Sequence, residues 1–200
     1  KQSCNVALAG GNTPKPLYKA LTQENLDWDK VQFTLTDERW VLPNHASSNE
    51  KMIEQCLISK LNKQSKFVPL KNSAATAKAG ELVCNATLTE AMNPLDLVVL
   101  GMGDDGHFAS IFPNVDNLGP LLDQDNALKC MAVSPEGKEE RMSLTLSYLL
   151  TAKTICLFIT GANKKKIIDD ILDNKLSASQ FPIAHILNQK KCPIHIYWNL

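Results

Sequence analysis

An apolar run that empties into three closely spaced glycines, LDLVVLGMGDDGHFASIFP from Leu95 to Pro113, constrains this chain more than any other stretch. Leu95, Leu97, Val98, Val99 and Leu100 have the length of a buried strand, and the run passes directly into Gly101, Gly103 and Gly106. The loop carries Asp104, Asp105 and His107, and Ala109 to Phe112 reads as a short helix closed by Pro113. Ligands of open α/β sheets sit beyond the carboxyl ends of the strands, so polar groups placed here are expected to face a crevice.

The same stretch matches G-x-G-x-x-G, which in dinucleotide-binding domains lets bare backbone amides approach a pyrophosphate at a helix N-terminus. Asp104 and Asp105 lie inside this loop, where they would repel such an anion. No acidic residue ends a following strand about 20 positions on, as the ribose contact requires. The dinucleotide reading is therefore kept only as the weakest rival, which a titration with NADH fluorescence would settle.

Two hundred residues with 44% hydrophobic side chains can bury a sizeable core, and one α/β domain over residues 1–200 is the default. Lys and Arg (21) balance Asp and Glu (21), so no overall field favours nucleic acid or an anionic membrane, and an anion must be caught locally. The six cysteines are scattered, with no C-x-x-C and no metal-ligand spacing, and read as reduced core residues of a cytoplasmic protein. No apolar run approaches the roughly 20 residues of a membrane span. Lys1 is not a native start and Asn5 to Ala9 already reads as a strand, so the chain is expected to lack its natural beginning.

Val6 to Ala9 is a short strand running into Gly10-Gly11-Asn12-Thr13-Pro14, with Thr13 placed to cap a helix and Pro14 at its first position. Strand, glycine turn and helix start make either a phosphate cradle or an ordinary βα turn. Val31, Phe33 and Leu35 form a second strand that ends at Thr36-Asp37-Glu38-Arg39-Trp40, again aimed at the crevice or else a solvated turn. Ser47 and Glu50 have capping-box spacing before a helix with Met52, Ile53, Cys56 and Leu57 inward. A helix over about Ala74 to Ala91 is expected to turn Ala79, Leu82, Val83 and Ala86 inward. A polar stretch to Asn126, a brief strand at Cys130 to Val133, alternation at Met142, Leu144 and Leu146, and a helix with Leu149, Leu150 and Ala152 follow.

Thr154 to Thr160 is an unbroken strand ending at Gly161, and Ile167, Ile168, Ile171 and Leu172 mark the next helix. Lys164 to Lys166 present either a cation near the sheet edge or a solvated face. A short helix at Pro182 to Leu187 and a strand with Ile194, Ile196 and Trp198 close the chain. About six strands separated mostly by helices make a mainly parallel, Rossmann-like sheet covered on both faces.

Several of these stretches together resemble the 6-phosphogluconolactonase family: AGGNTPKPLY, FTLTDERWV, SSNEKMI, DLVVLGMGDDGHFASIFP, RMSLTLSYLLTA, FITGANKKKIID and FPIAHIL, in the family's order and approximate spacing. GMGDDGHFASIFP with TDERWV is a specific pair. The resemblance implies the α/β fold shared with glucosamine-6-phosphate deaminases and ribose-5-phosphate isomerases, no metal or organic cofactor, and a phosphorylated sugar lactone as substrate. With its balanced charge the chain is expected to bind neither nucleic acid nor membrane, and a monomer or weak homo-oligomer is expected. Two departures stand out: members usually carry a further helix and strand before the point where this chain starts, and often a small hydroxyl residue where Phe108 stands.

Opening a δ-lactone with water needs a base near neutral pKa, a cation at the developing oxyanion, and a proton for the departing ring oxygen. Histidine can perform both proton steps. Carried over by motif, His107 is the base, Arg39 the oxyanion partner and Asp105 the group orienting the histidine. Gly10, Gly11, Asn12, Thr13, Asp37, Arg141 and Lys164 are the substrate- and phosphate-binding candidates, with Arg141 able to fork onto phosphate oxygens. There is no G-x-S-x-G elbow and no H-x-x-x-H pair among His45, His107, His185 and His195. Two nearer rivals remain. A same-fold isomerase or deaminase would carry GGxGxDGHIAFNEP, from which Phe-Ala-Ser-Ile-Phe-Pro after His107 departs. A non-enzymatic sugar-phosphate sensor would normally come fused to a helix-turn-helix.

Overall fold

Apolar runs bounded by glycine and polar turns become parallel strands here because the connections between neighbouring strands of the main sheet run through helices that carry the chain back. The structure, a computed structural model, describes residues 3–176 and 180–200, and the reading made of Lys1 lies outside them. In chain order the elements are β1 (Cys4–Leu8), α1 (Lys15–Leu21), β2 (Val31–Leu35), β3 (Asp37–Arg39), α2 (Asn49–Cys56), β4 (Lys66–Phe67) and α3 (Ala77–Ala91). They continue as β5 (Leu97–Gly101), α4 (Leu118–Leu122), β6 (Cys130–Val133), β7 (Arg141–Leu144), α5 (Leu146–Leu149), β8 (Thr154–Thr160), α6 (Ala162–Leu172), α7 (Ile183–Leu187) and β9 (Ile194–Asn199). No helix among the described residues is long and apolar enough to cross a membrane.

Six strands form one parallel sheet in the order β4-β2-β1-β5-β8-β9, with β5 at its centre as its fully apolar sequence requires. β1 runs in register with β2 from Cys4 opposite Val31 to Leu8 opposite Leu35, and β5 with β8 from Leu97 opposite Thr154. The carboxyl ends of β1, β2 and β5 therefore lie side by side. Helices cover the sheet unequally, and an apolar groove of about 440 Å³ stays open over Val6, Phe33, Val99, Phe158 and Tyr197 beside α1.

A second, antiparallel sheet in the order β3-β7-β6 was not visible in the sequence. The chain leaves the parallel sheet at Thr36, whose N–H donates to Leu8 O (2.9 Å) and whose carbonyl accepts from Leu144 N (2.9 Å). Asp37, Glu38 and Arg39 are thus not a turn at the end of β2 but a strand of their own, paired with β7.

The remaining corrections are local. Ala79, Leu82, Val83 and Ala86 of α3 all face solvent, with Leu82 81% and Val83 55% exposed. Glu81 and Asn85 take the inward face because β6 is an edge strand with backbone groups to satisfy. Asn85 accepts from Lys129 N and Cys130 N and donates to Cys130 O, and Glu81 accepts from Ala132 N. Leu172, also expected inward, is half exposed at the end of α6. The cap of α2 is Ser48, which accepts from Lys51 N, while Ser47 bonds His45 instead. α1 begins at Lys15 behind Pro14, and Thr13 makes no cap.

Candidate active site

The loop after β5 is built around the histidine ring. Gly106 sits at φ +73°, a conformation that favours glycine, and the turn closes through Gly103 N–H to His107 O (2.9 Å) and Gly106 N–H to Gly103 O (3.1 Å). Gly103 is needed for a different reason: a Cβ there would overlap the His107 ring and the Asp105 carboxylate. Ala109 to Phe112 is not a helix. Ala109 turns back at φ +48° so that Phe108 and Ile111 bridge each other, which buries Phe108 completely and keeps it out of the cleft.

Asp105 Oδ1 accepts from the His107 backbone N–H (3.1 Å) and meets Nδ1 of the ring at 2.5 Å. Burial pushes the Asp105 carboxyl up, but the two hydrogen bonds from His107 and its charge outweigh this and hold it below the usual carboxylate range. An ionised carboxylate only accepts, so Nδ1 carries a proton in this pair, and in the neutral ring Nε2 is the nitrogen with the lone pair. The ring packs on Phe112, with centroids 4.4 Å apart. Asp104 is exposed and takes no part.

β3 and β7 supply the opposite wall. Side chains alternate along a strand, so Asp37 and Arg39 face the cleft while Glu38 points behind it to the start of α2. Arg39 stands directly opposite Arg141 in the register. Like charges in that position repel, and the structure compensates only in part. Asp37 Oδ2 accepts from Ser110 Oγ at 2.5 Å and lies 3.7 Å from Arg141 Nη1, which itself reaches Ser110 Oγ at 3.4 Å. Burial lowers the Arg141 pKa, Asp37 restores some of it, and Arg39 lowers it further. Arg141 Nε is buried with no acceptor among the described residues, a donor that an incoming anion would satisfy.

The loop after β1 closes the third side. The amides of Gly11, Asn12 and Thr13 donate to no group among the described residues. Lys164, at the start of α6, forms no ion pair among them either, whereas Lys165 and Lys166 pair with Asp169 and Asp170 one turn on. One of the three lysines therefore faces the cleft, and its neighbours belong to a solvated helix face.

Gly10, Gly11, Asn12, Thr13, Asp37, Arg39, His107, Arg141 and Lys164 all line one cleft of about 230 Å³, and Asp105 stands behind His107. Three cations against the single carboxylate of Asp37 make it a site for an anion, with a histidine base at one end. Among the described residues no group of three His, Cys, Asp or Glu side chains could hold a metal ion. The sequence reading missed Asn49, which lines the cleft between Gly10 and Arg39, and Ser110, which joins Asp37 to Arg141. Asn49 carries no motif of its own beyond the SSNE run, in which Ser48, and not Ser47, turned out to cap the helix.

A family model described as glucosamine-6-phosphate isomerases/6-phosphogluconolactonase matches residues 1–198. The 6-phosphogluconolactonase of Rhizobium meliloti is 35% identical over 197 residues, covering 98% of this chain and 84% of that protein. That of Caulobacter vibrioides is 37% identical, covering 96% and 82%. The crystal structure of a 6-phosphogluconolactonase from Shewanella baltica superposes with a TM-score of 0.92 at 33% identity, covering 99% of this chain and 84% of that one. A monomeric glucosamine-6-phosphate deaminase at 18% identity and TM-score 0.80 shares the fold.

Proposed function

The chain belongs to the glucosamine-6-phosphate isomerase/6-phosphogluconolactonase family and hydrolyses 6-phospho-D-glucono-1,5-lactone to 6-phosphogluconate in the oxidative pentose phosphate pathway, and we propose that His107, Asp105 and Arg39 carry the reaction. The observation that supports this most is the 2.5 Å contact of Asp105 with His107 Nδ1, at a cleft that Arg39 and Arg141 share. The Asp105 contact leaves His107 Nε2 as the base. It takes a proton from water as the water oxygen bonds to the lactone carbonyl carbon. The carbonyl oxygen becomes an oxyanion beside Arg39, whose charge is worth most where it develops. Collapse breaks the bond from that carbon to the ring oxygen, and the imidazolium returns its proton to the departing oxygen.

In the same proposal the substrate's phosphate lies between the Gly10–Thr13 loop, Arg141 and Lys164, with Asp37 holding Arg141 in place. No cofactor is required. The protein works as one α/β domain, monomeric or weakly self-associating, in the cytoplasm, and binds neither nucleic acid nor membrane, in keeping with its balanced charge. The test is hydrolysis of freshly generated lactone measured above its spontaneous opening. His107→Ala should lower kcat by roughly 10² to 10⁴, the usual worth of general acid–base catalysis, and leave KM near its original value. Near-wild-type kcat in that variant, or turnover abolished by chelation and restored by zinc or magnesium, would overturn the proposal.

A further inference from the structure

Arg39 is held by an uncharged partner. Its Nη1 donates to Oδ1 of Asn49, and no carboxylate forms an ion pair with it among the described residues. The neighbouring Arg141, by contrast, lies against Asp37. A neutral acceptor fixes the direction of a guanidinium while leaving its charge uncompensated, which a carboxylate would not do.

Asn49 is itself fixed from both ends. It is the first residue of α2 and only 3% exposed. Its Nδ2 donates to Asp37 O at 2.8 Å, and because a carbonyl can only accept, this sets which end of the amide faces Arg39. Its backbone N–H donates to Glu38 Oε1 at 2.8 Å. Glu38, 1% exposed, also accepts from Arg39 N (2.7 Å), Ser48 Oγ (2.9 Å) and Glu50 N (2.8 Å), and so ties the start of α2 to β3. The Asn49 amide also lies against Gly10, where any Cβ would overlap it. One small side chain thus joins the loop after β1 and the strand that carries Arg39.

We propose that Asn49 is a positioning residue for lactone opening: its amide aims the Arg39 guanidinium into the cleft and, being neutral, leaves that charge free for the oxyanion. This rests on the reading of Arg39 as the oxyanion partner. Two consequences separate positioning from mere structural support. Losing the amide matters to kcat chiefly while Arg39 is present, and replacing it by a carboxylate of the same shape keeps an acceptor for the guanidinium but cancels its charge and gives up the donor to Asp37 O.

The experiment measures kcat, KM and thermal melting for Asn49→Ala, Asn49→Asp, Arg39→Ala and the Arg39→Ala/Asn49→Ala double variant. Asn49→Ala should lower kcat about tenfold or more, the worth of one hydrogen bond to a charged group, with KM changed much less. In the Arg39→Ala background the same change should alter kcat less than about twofold, the non-additive result of two residues acting as one unit. Asn49→Asp, which keeps the size and an acceptor for Arg39, should lower kcat at least as far as Asn49→Ala does, with melting recorded to separate the cost of the lost bond to Asp37 O. Equal losses from Asn49→Ala with and without Arg39, or wild-type kcat in Asn49→Asp, would overturn the inference. If Arg39→Ala alone left kcat unchanged, the role of Arg39 would be wrong and the inference would fall with it.

Discussion

Asp105→Asn is the perturbation whose size the geometry predicts best. Asp105 Oδ1 serves two donors at once, the ring Nδ1–H at 2.5 Å and the His107 backbone N–H at 3.1 Å. An asparagine can satisfy both only with its carbonyl oxygen, so the backbone N–H holds the amide in the orientation that preserves the ring tautomer. What the substitution removes is the charge. A hydrogen bond to a charged group contributes about 1.5–3 kcal/mol and a neutral one about 0.5–1.5, so the transition state, in which the ring becomes imidazolium, loses roughly 1–1.5 kcal/mol. At 1.36 kcal/mol per decade that is about a tenfold fall in kcat, with KM little changed because Asp105 stands behind the ring and does not line the cleft. Initial rates on freshly generated lactone, corrected for spontaneous opening, measure it directly. Wild-type kcat in Asp105→Asn beside a crippled His107→Ala would show that the carboxylate does not assist the ring. A loss as deep as that of His107→Ala would show that the tautomer had inverted and that the backbone N–H does not hold the amide.

The same pair carries a pH signature. The Asp105 carboxyl is held below its ordinary range in the folded chain, so the unfolded chain binds more protons there; the pair's contribution is present above the ordinary carboxylate range and lost as pH falls through the lowered value. The melting difference between wild type and Asp105→Asn should therefore shrink on going from pH 7 to pH 3, and a difference that stayed constant would refute the linkage. Gly103→Ala should push the His107 ring off Asp105, since the new Cβ would occupy its place, and lower kcat about tenfold or more with the fold intact; unchanged kcat would mean the ring has room to spare. Arg141→Ala should raise KM by roughly 30-fold, about 2 kcal/mol for a charge-assisted bidentate contact, with kcat altered far less. An unchanged KM for the phosphorylated lactone would place the phosphate elsewhere.

Local chemistry determined much of this protein from sequence alone. The apolar run of β5 could only be a buried central strand, and glycines around Asp105 and His107 could only be a tight turn at its carboxyl end, because both depend on neighbours in the chain. The inward face of α6 at Ile167, Ile168 and Ile171 was legible for the same reason, since one apolar stripe meets one sheet. The α3 face was not: Leu82 and Val83 looked inward by hydropathy, yet the helix packs on an edge strand whose unpaired backbone wants the oxygen and nitrogen of Glu81 and Asn85. Phe108 shows the limit of a motif, because its neighbour Ala109 reverses the chain and sends the ring into the core instead of the cleft. Most of the site's electrostatics belonged to tertiary structure. Arg39 faces Arg141, Ser110 reaches Asp37, and Asn49 meets both Gly10 and Arg39 only because the chain leaves one sheet at Thr36 to begin another, and strand pairing between distant segments leaves no periodic trace in either of them.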